Sequence, residues 1–188
     1  MVRLTLAKLS PAQRKFWLTL HVGFSVSWLG MSAAMTGLSL IGLLTHDLAL
    51  RQAAYAIMHL FDLTLIIPFV LLSLITGLIV ALGTPWGLFH YWWVVVKLVI
   101  SLGIVSFAAA QENFWVRGLA EQTARQPASH VDALALALVI CMVSFLVALW
   151  IATILSIYKP WGRTAWGERQ YAQRKAKAQG KLSAAIVE

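Results

Sequence analysis

The sequence predicts an all-α fold: a four-helix transmembrane bundle running up-down-up-down, with both termini in the cytoplasm. Three observations carry that expectation. Of 188 residues, 60% are apolar and only 12% charged, with a mean hydropathy of +0.78, which excludes a soluble single-core protein. Nine Trp and eight Phe exclude disorder, because burying them outweighs the entropy of ordering the chain. Finally, four apolar runs, about 16–44, 57–83, 91–110 and 133–158, each reach the roughly 20 residues that a helix needs to cross a hydrocarbon core of about 30 Å. Runs this long and evenly apolar suit helices rather than barrel strands, since each helix satisfies its own backbone in lipid.

The first run begins behind Arg14 and Lys15. It is too long for the apolar part of a signal peptide and no small-residue cleavage site follows promptly, so it reads as a retained span. The second carries Pro68, which should kink the helix. Between the second and third, Gly83, Thr84, Pro85, Trp86 and Gly87 supply helix-stopping and turn chemistry. The connections expected are 45–56, 84–90 and 111–132, and residues 159–188 form a basic tail. The chain thus reads as one transmembrane domain, 1–158, followed by that tail.

Orientation follows from charge. Arg3, Lys8, Arg14 and Lys15 precede the first span, and Lys159, Arg163, Arg169, Arg174, Lys175, Lys177 and Lys181 follow the fourth. The excess of Lys and Arg beside span ends places both termini in the cytoplasm, with the spans crossing the membrane that bounds it. The same residues account for the net charge of +8 without nucleic acid. Trp161, Trp166 and Tyr171 among them suit a tail lying along the inner leaflet. A single cysteine, Cys141, excludes an internal disulfide and a Cys-rich metal site.

Ionisable residues at membrane depth are costly and point to function. His21 and His90 fall near the inner face, and two or three near the outer: His59, His130 and, as the third, His46. Imidazoles layered this way suit haem b, whose iron takes an axial nitrogen from each of two facing helices; one or two haems would fit. For His46, His90 and His130 an ordinary wetted helix end stands as the plain alternative. His21, Ser25, Trp28 and Ser32 recur at helical spacing on one stripe. Gly23, Gly30, Ala34 and Gly37 would let another helix or a flat cofactor approach, within one chain or in a homodimer. His59 and Asp62 share a face, and the carboxylate could orient an imidazole. Lys97 either snorkels to the interface or faces inward, where a haem propionate, a quinone carbonyl or a carboxylated substrate would suit it. Trp28, Trp92 and Trp93 could pack a porphyrin or quinone edge, although an interfacial aromatic belt also explains the last two.

The string His21-x6-Trp28-x-Gly30, the pair Thr76-Gly77 and the string Trp93-x3-Lys97-Leu98 resemble a loose group of bacterial membrane proteins. It comprises the haem-containing four-helix membrane protoporphyrinogen oxidases, the copper-resistance protein D family and a family of small four-span proteins of unknown function. The resemblance covers residues 14–110 and is nearest to the last of these. It implies a haem role for His21 and a functional, catalytic role for Lys97. Five Met and one Cys form no cluster that would select copper.

The expected function is therefore electron transfer by a membrane b-type cytochrome, with a quinone as lipid-soluble partner. If the chain is an enzyme, it is a haem-dependent membrane oxidoreductase with Lys97 at its centre. A small transporter or exporter, or a cofactor-free subunit paired with another membrane protein, are the alternatives. The sequence holds no phosphate-cradling loop, HExxH helix or G-x-G-x-x-G, so hydrolase, kinase and nicotinamide readings have no residues to rest on.

Overall fold

The structure, a computed structural model, describes residues 9–84, 87–111, 115–125 and 132–187. Among these every regular element is a helix. Helix α1, Pro11–Leu44, starts at a capping box in which the Ser10 hydroxyl accepts from the Gln13 amide and the Gln13 side chain accepts from the Ser10 amide, with Pro11 in the first turn. Helix α2, Leu48–Phe61, is capped by Asp47, whose carboxylate accepts from the amides of Ala49 and Leu50. The connection before it is thus only Thr45–Asp47, not the 45–56 expected. Arg51 and Gln52 gave that stretch a loop-like polarity, yet its other face buries Ala54, Tyr55 and Met58.

A π turn, Asp62–Ile66, joins α2 to α3, Ile67–Gly83. Here the Ile67 amide donates to the Asp62 carbonyl, one residue further back than in an α-helix. Pro68, in the first turn of α3, has no N–H to donate and its ring crowds the turn before it, so the widened turn absorbs the misfit. The interruption expected at Pro68 therefore falls just ahead of it. Helices α4, Trp92–Gln111, α5, Arg117–Arg125, α6, Asp132–Tyr158, and α7, Ala165–Val187, complete the chain. Both α5 and α7 form in stretches expected as connection and tail. Helix α5 is amphipathic, burying Leu119 and Thr123.

Three helical stretches, Pro11–Leu44, Leu48–Gly83 and Ala133–Tyr158, are long and apolar enough to cross a membrane, and α4 adds a shorter apolar stretch, Trp92–Ala108. Their outward residues are apolar too: Val26, Leu44, Val99 and Ile157 are all more than 60% exposed. Such surfaces suit lipid and would be a liability in water.

Helix α1 is central, packing on α2, α3 and α6, while α4 leans on α6 and α5 on α2. Helices α3 and α4 scarcely touch. One apolar cluster unites Met35, Tyr55, Met58, Val116, Leu119, Leu138 and Met142. The Tyr55 ring lies where a Cβ on Gly42 would come within 2.6 Å of it, so glycine allows that contact. A second cluster joins Trp28, Val70, Ile104 and Leu149. The stripe Gly23, Gly30, Ala34 and Gly37, expected to admit a neighbour, faces outward: all four are exposed, and a Cβ on any of the three glycines would meet nothing within 4 Å.

At the end of the bundle carrying Arg14 and Lys159, a clasp ties the start of α4 to the segment after α6. The Thr164 amide donates to the His90 carbonyl (2.9 Å), and its hydroxyl donates to the Phe89 carbonyl (2.6 Å) and accepts from the Gly167 amide (3.0 Å). Tyr91 and Arg163 form an isolated antiparallel bridge, and the Arg163 guanidinium lies 3.9 Å from the Tyr171 ring centre. At Gly167 a Cβ would come within 2.3 Å of the His90 carbonyl oxygen, so only glycine permits this approach.

Candidate functional site

Because α1 holds α3 and α6 holds α4 while those two scarcely touch, a cleft of about 640 Å³ opens among the four. That is within the range of small-molecule sites. Its lining runs from Arg14 and Lys159 at the basic end to Trp28 and Leu149 further along α1 and α6. The fourteen steps from Arg14 to Trp28 on α1 correspond to about 21 Å of helix, a length equal to about two-thirds of a hydrocarbon core.

His21 projects from α1 against α3. Its Nδ1 stands 3.0 Å from the Ser73 carbonyl oxygen. A carbonyl only accepts, so this bond assigns the proton to Nδ1, and in the neutral ring Nε2 then keeps its lone pair. The Thr76 hydroxyl, 3.4 Å from the same nitrogen, donates to the Leu72 carbonyl at 2.6 Å. One turn on, Ser25 and Ser73 share a hydroxyl hydrogen bond of 2.8 Å. Gly77 supports the ring from below: a Cβ there would lie 2.8 Å from His21 Cε1.

Across the cleft Lys97, on α4, donates from Nζ to the Ser156 hydroxyl on α6. Ser156 in turn donates to the Ala152 carbonyl at 3.0 Å. Of the two orientations open to Lys97, the structure has the inward one. Trp93 also lines the cleft, whereas Trp92 is exposed.

The structure therefore gathers His21, Trp28 and Lys97 on one cleft and leaves the other candidates elsewhere. His90 lies in the clasp and does not line the cleft. Its ring centre is 4.6 Å from that of Trp166, and Nδ1 is buried without a hydrogen-bond partner among the described residues. Gly87, at φ +60°, leaves room for it, since a Cβ there would fall on Nδ1. Burial, and then the nearby Arg174 guanidinium, push the His90 pKa below its ordinary value. His59 is half-buried on α2 and does not line the cleft. Asp62 opens the π turn. His46 is exposed in the α1–α2 connection, and His130 lies outside the described residues. The inner pairing of His21 with His90 on one cofactor is thus not formed around this cleft.

Sequence reasoning missed Ser73, Ser156, Arg14 and Lys159 as partners in the site. Ser156 had a signal: Ala152, Ser156 and Lys159 recur at helical spacing on the last apolar run.

One imidazole facing the cleft is too few for a bare metal ion, which takes three or four protein ligands. No group of three or more His, Cys, Asp or Glu occurs among the described residues. A macrocycle that brings its own equatorial nitrogens needs only an axial one, and His21 Nε2 fits that requirement. No family model, curated protein or solved structure matches this chain.

Proposed function

We propose that the chain is a four-span protein of the bacterial cytoplasmic membrane, with both termini inside, whose cleft holds one haem b and which serves in electron transfer with a quinol as lipid-soluble partner. The observation that carries this reading is the His21 ring, fixed by the Ser73 carbonyl so that Nε2 is the nitrogen left to bind. An oriented imidazole backed by a carbonyl is the arrangement that raises ligand basicity and fixes the ring plane. Haem, when bound, supplies one-electron chemistry. The chain's own residues do the rest. Ser73 orients the ligand, Gly77 admits the ring, Trp28 gives the cleft an apolar wall, and Lys97 offers a cation to the polar edge.

A visible spectrum before and after dithionite tests the reading. Protein made with ample haem should show a Soret band that shifts on reduction. His21→Ala should remove most of it, while His46→Ala and His90→Ala should keep it. A colourless wild type, or equal loss in all three variants, would overturn the proposal.

A further inference from the structure

We infer that the cleft is a binding site for an acidic amphiphile, a molecule with an apolar body and one carboxylate or phosphate group, drawn sideways from the leaflet at the basic end. This inference concerns the same cleft but stands without haem, and its test is read separately.

Charge is the first ground. Arg14, Lys97 and Lys159 all line the cleft, and the described lining residues include no Asp or Glu. The hydrogen bond shown for the Lys97 ammonium goes to a neutral hydroxyl, that of Ser156. A cation in an apolar cleft favours an anion because little water is present to screen it. Two of the cations lie at similar depth: Lys97 bonds to Ser156, and Lys159 follows Ser156 by three residues, an axial offset of about 5 Å at 1.5 Å per residue.

The second ground is backbone strain at the basic end. Lys159 has φ +46° and Trp161 φ +65°, conformations that residues bearing a Cβ seldom adopt. They bracket Pro160 and turn the chain from α6 into the clasp, and the result sets Lys159 on the cleft wall. Strain held in place by surrounding structure is a feature of binding sites.

Shape is the third. Below the cations the walls are mostly apolar, with Leu18, Val22, Leu74, Leu78, Leu98 and Trp28, and carry His21, Ser25, Ser73, Ser101 and Thr153 as neutral polar groups among them. Helices α3 and α4 leave a lateral gap that opens where their outer faces, Leu78 and Val99 among them, are exposed. A lipid-borne molecule can enter there with its tail in the bilayer and its acid at the level of Lys97.

The test uses the full-length protein in neutral detergent and native mass spectrometry, with oleic acid, oleyl alcohol and lysophosphatidic acid added in turn. Oleic acid and its alcohol share a chain and differ in charge. Retention of the acid should exceed that of the alcohol about tenfold, the effect of one charge-assisted hydrogen bond. Comparing oleate with lysophosphatidate decides between carboxylate and phosphate. Lys159→Gln and Lys97→Met should each reduce retention of the acid, and Lys175→Gln, on the exposed tail, should not. If Lys97→Met fails to fold, Lys159→Gln alone carries the test. Equal retention of acid and alcohol, or equal effects of Lys159→Gln and Lys175→Gln, would overturn the inference. A protein that lacks a Soret band but keeps oleate would refute the haem proposal alone.

Discussion

Gly77→Ala probes the contact on which the site is built. The added Cβ would sit 2.8 Å from His21 Cε1 and 3.1 Å from Nδ1. Carbon atoms rest at about 3.5–4.0 Å, so the ring must retreat by roughly 0.7 Å or more. Its hydrogen bond to the Ser73 carbonyl, now 3.0 Å, would then lengthen to about 3.7 Å, beyond useful range. Overpacking of this kind costs about 1–3 kcal/mol, part of which is the lost hydrogen bond. The assay is thermal unfolding in detergent of four proteins: wild type, Gly77→Ala, His21→Ala and the double variant. With the imidazole gone the new methyl has nothing to strike, so Gly77→Ala should be nearly neutral in the His21→Ala background, a coupling of about 1–2 kcal/mol. Gly30→Ala, where a Cβ meets nothing within 4 Å, is the control and should cost nothing. Additive effects of the two substitutions would show that the ring does not rest on Gly77.

Asp47→Ala removes the acceptor for the first amides of α2 and should cost about 1 kcal/mol in the same unfolding assay, with Asp47→Ser recovering most of it. The clasp should respond to acid through His90. Its pKa is lowered in the fold, so the folded state favours the neutral ring. Stability from this source is complete above the ordinary histidine value and falls as pH drops from there through the lower folded value. Trp166 fluorescence, reporting the ring beside it, should change over that range in the wild type and stay flat in His90→Gln.

The apolar runs made the long apolar helices legible, because unbroken hydrophobicity over twenty residues leaves few other structures open. Features that depend on a distant partner were not legible in the same way. Tyr55 and Met58 make Leu48–Phe61 a helix by packing on Met35, Leu119 and Leu138, whereas the local sequence, with Arg51 and Gln52, looks like a loop. Pro68 announced a disturbance, but its form, a π turn begun at Asp62, depends on how the preceding turn yields. Helical spacing put His21, Ser25, Trp28 and Ser32 on one inward stripe, and the structure keeps the last two buried and the first two bonded to Ser73. The same spacing said nothing of Lys97, since its partner Ser156 stands 59 residues away. Depth sets His21 apart from His90, for which a wetted helix end is the plain alternative, and of the two only His21 lines the cleft.

A cleft between helices that scarcely touch needs something else to fix its width, and the clasp supplies it. Through Thr164 the start of α4 is held to the segment leaving α6, so α4 cannot swing towards α3 and close the gap. Thr164→Val keeps the shape and the amide bond to His90 but removes the hydroxyl, leaving the Phe89 carbonyl and the Gly167 amide without that partner. Each group so stranded costs about 1–3 kcal/mol where it is buried. The loss should appear as a lower melting temperature and as a broader separation between spin labels placed at Leu78 on α3 and Leu102 on α4, both exposed. Thr164→Ser, which restores the hydroxyl, should narrow the distribution again. An unchanged distribution in Thr164→Val would mean that α1 and α6 alone set the cleft, and that the clasp merely anchors α7.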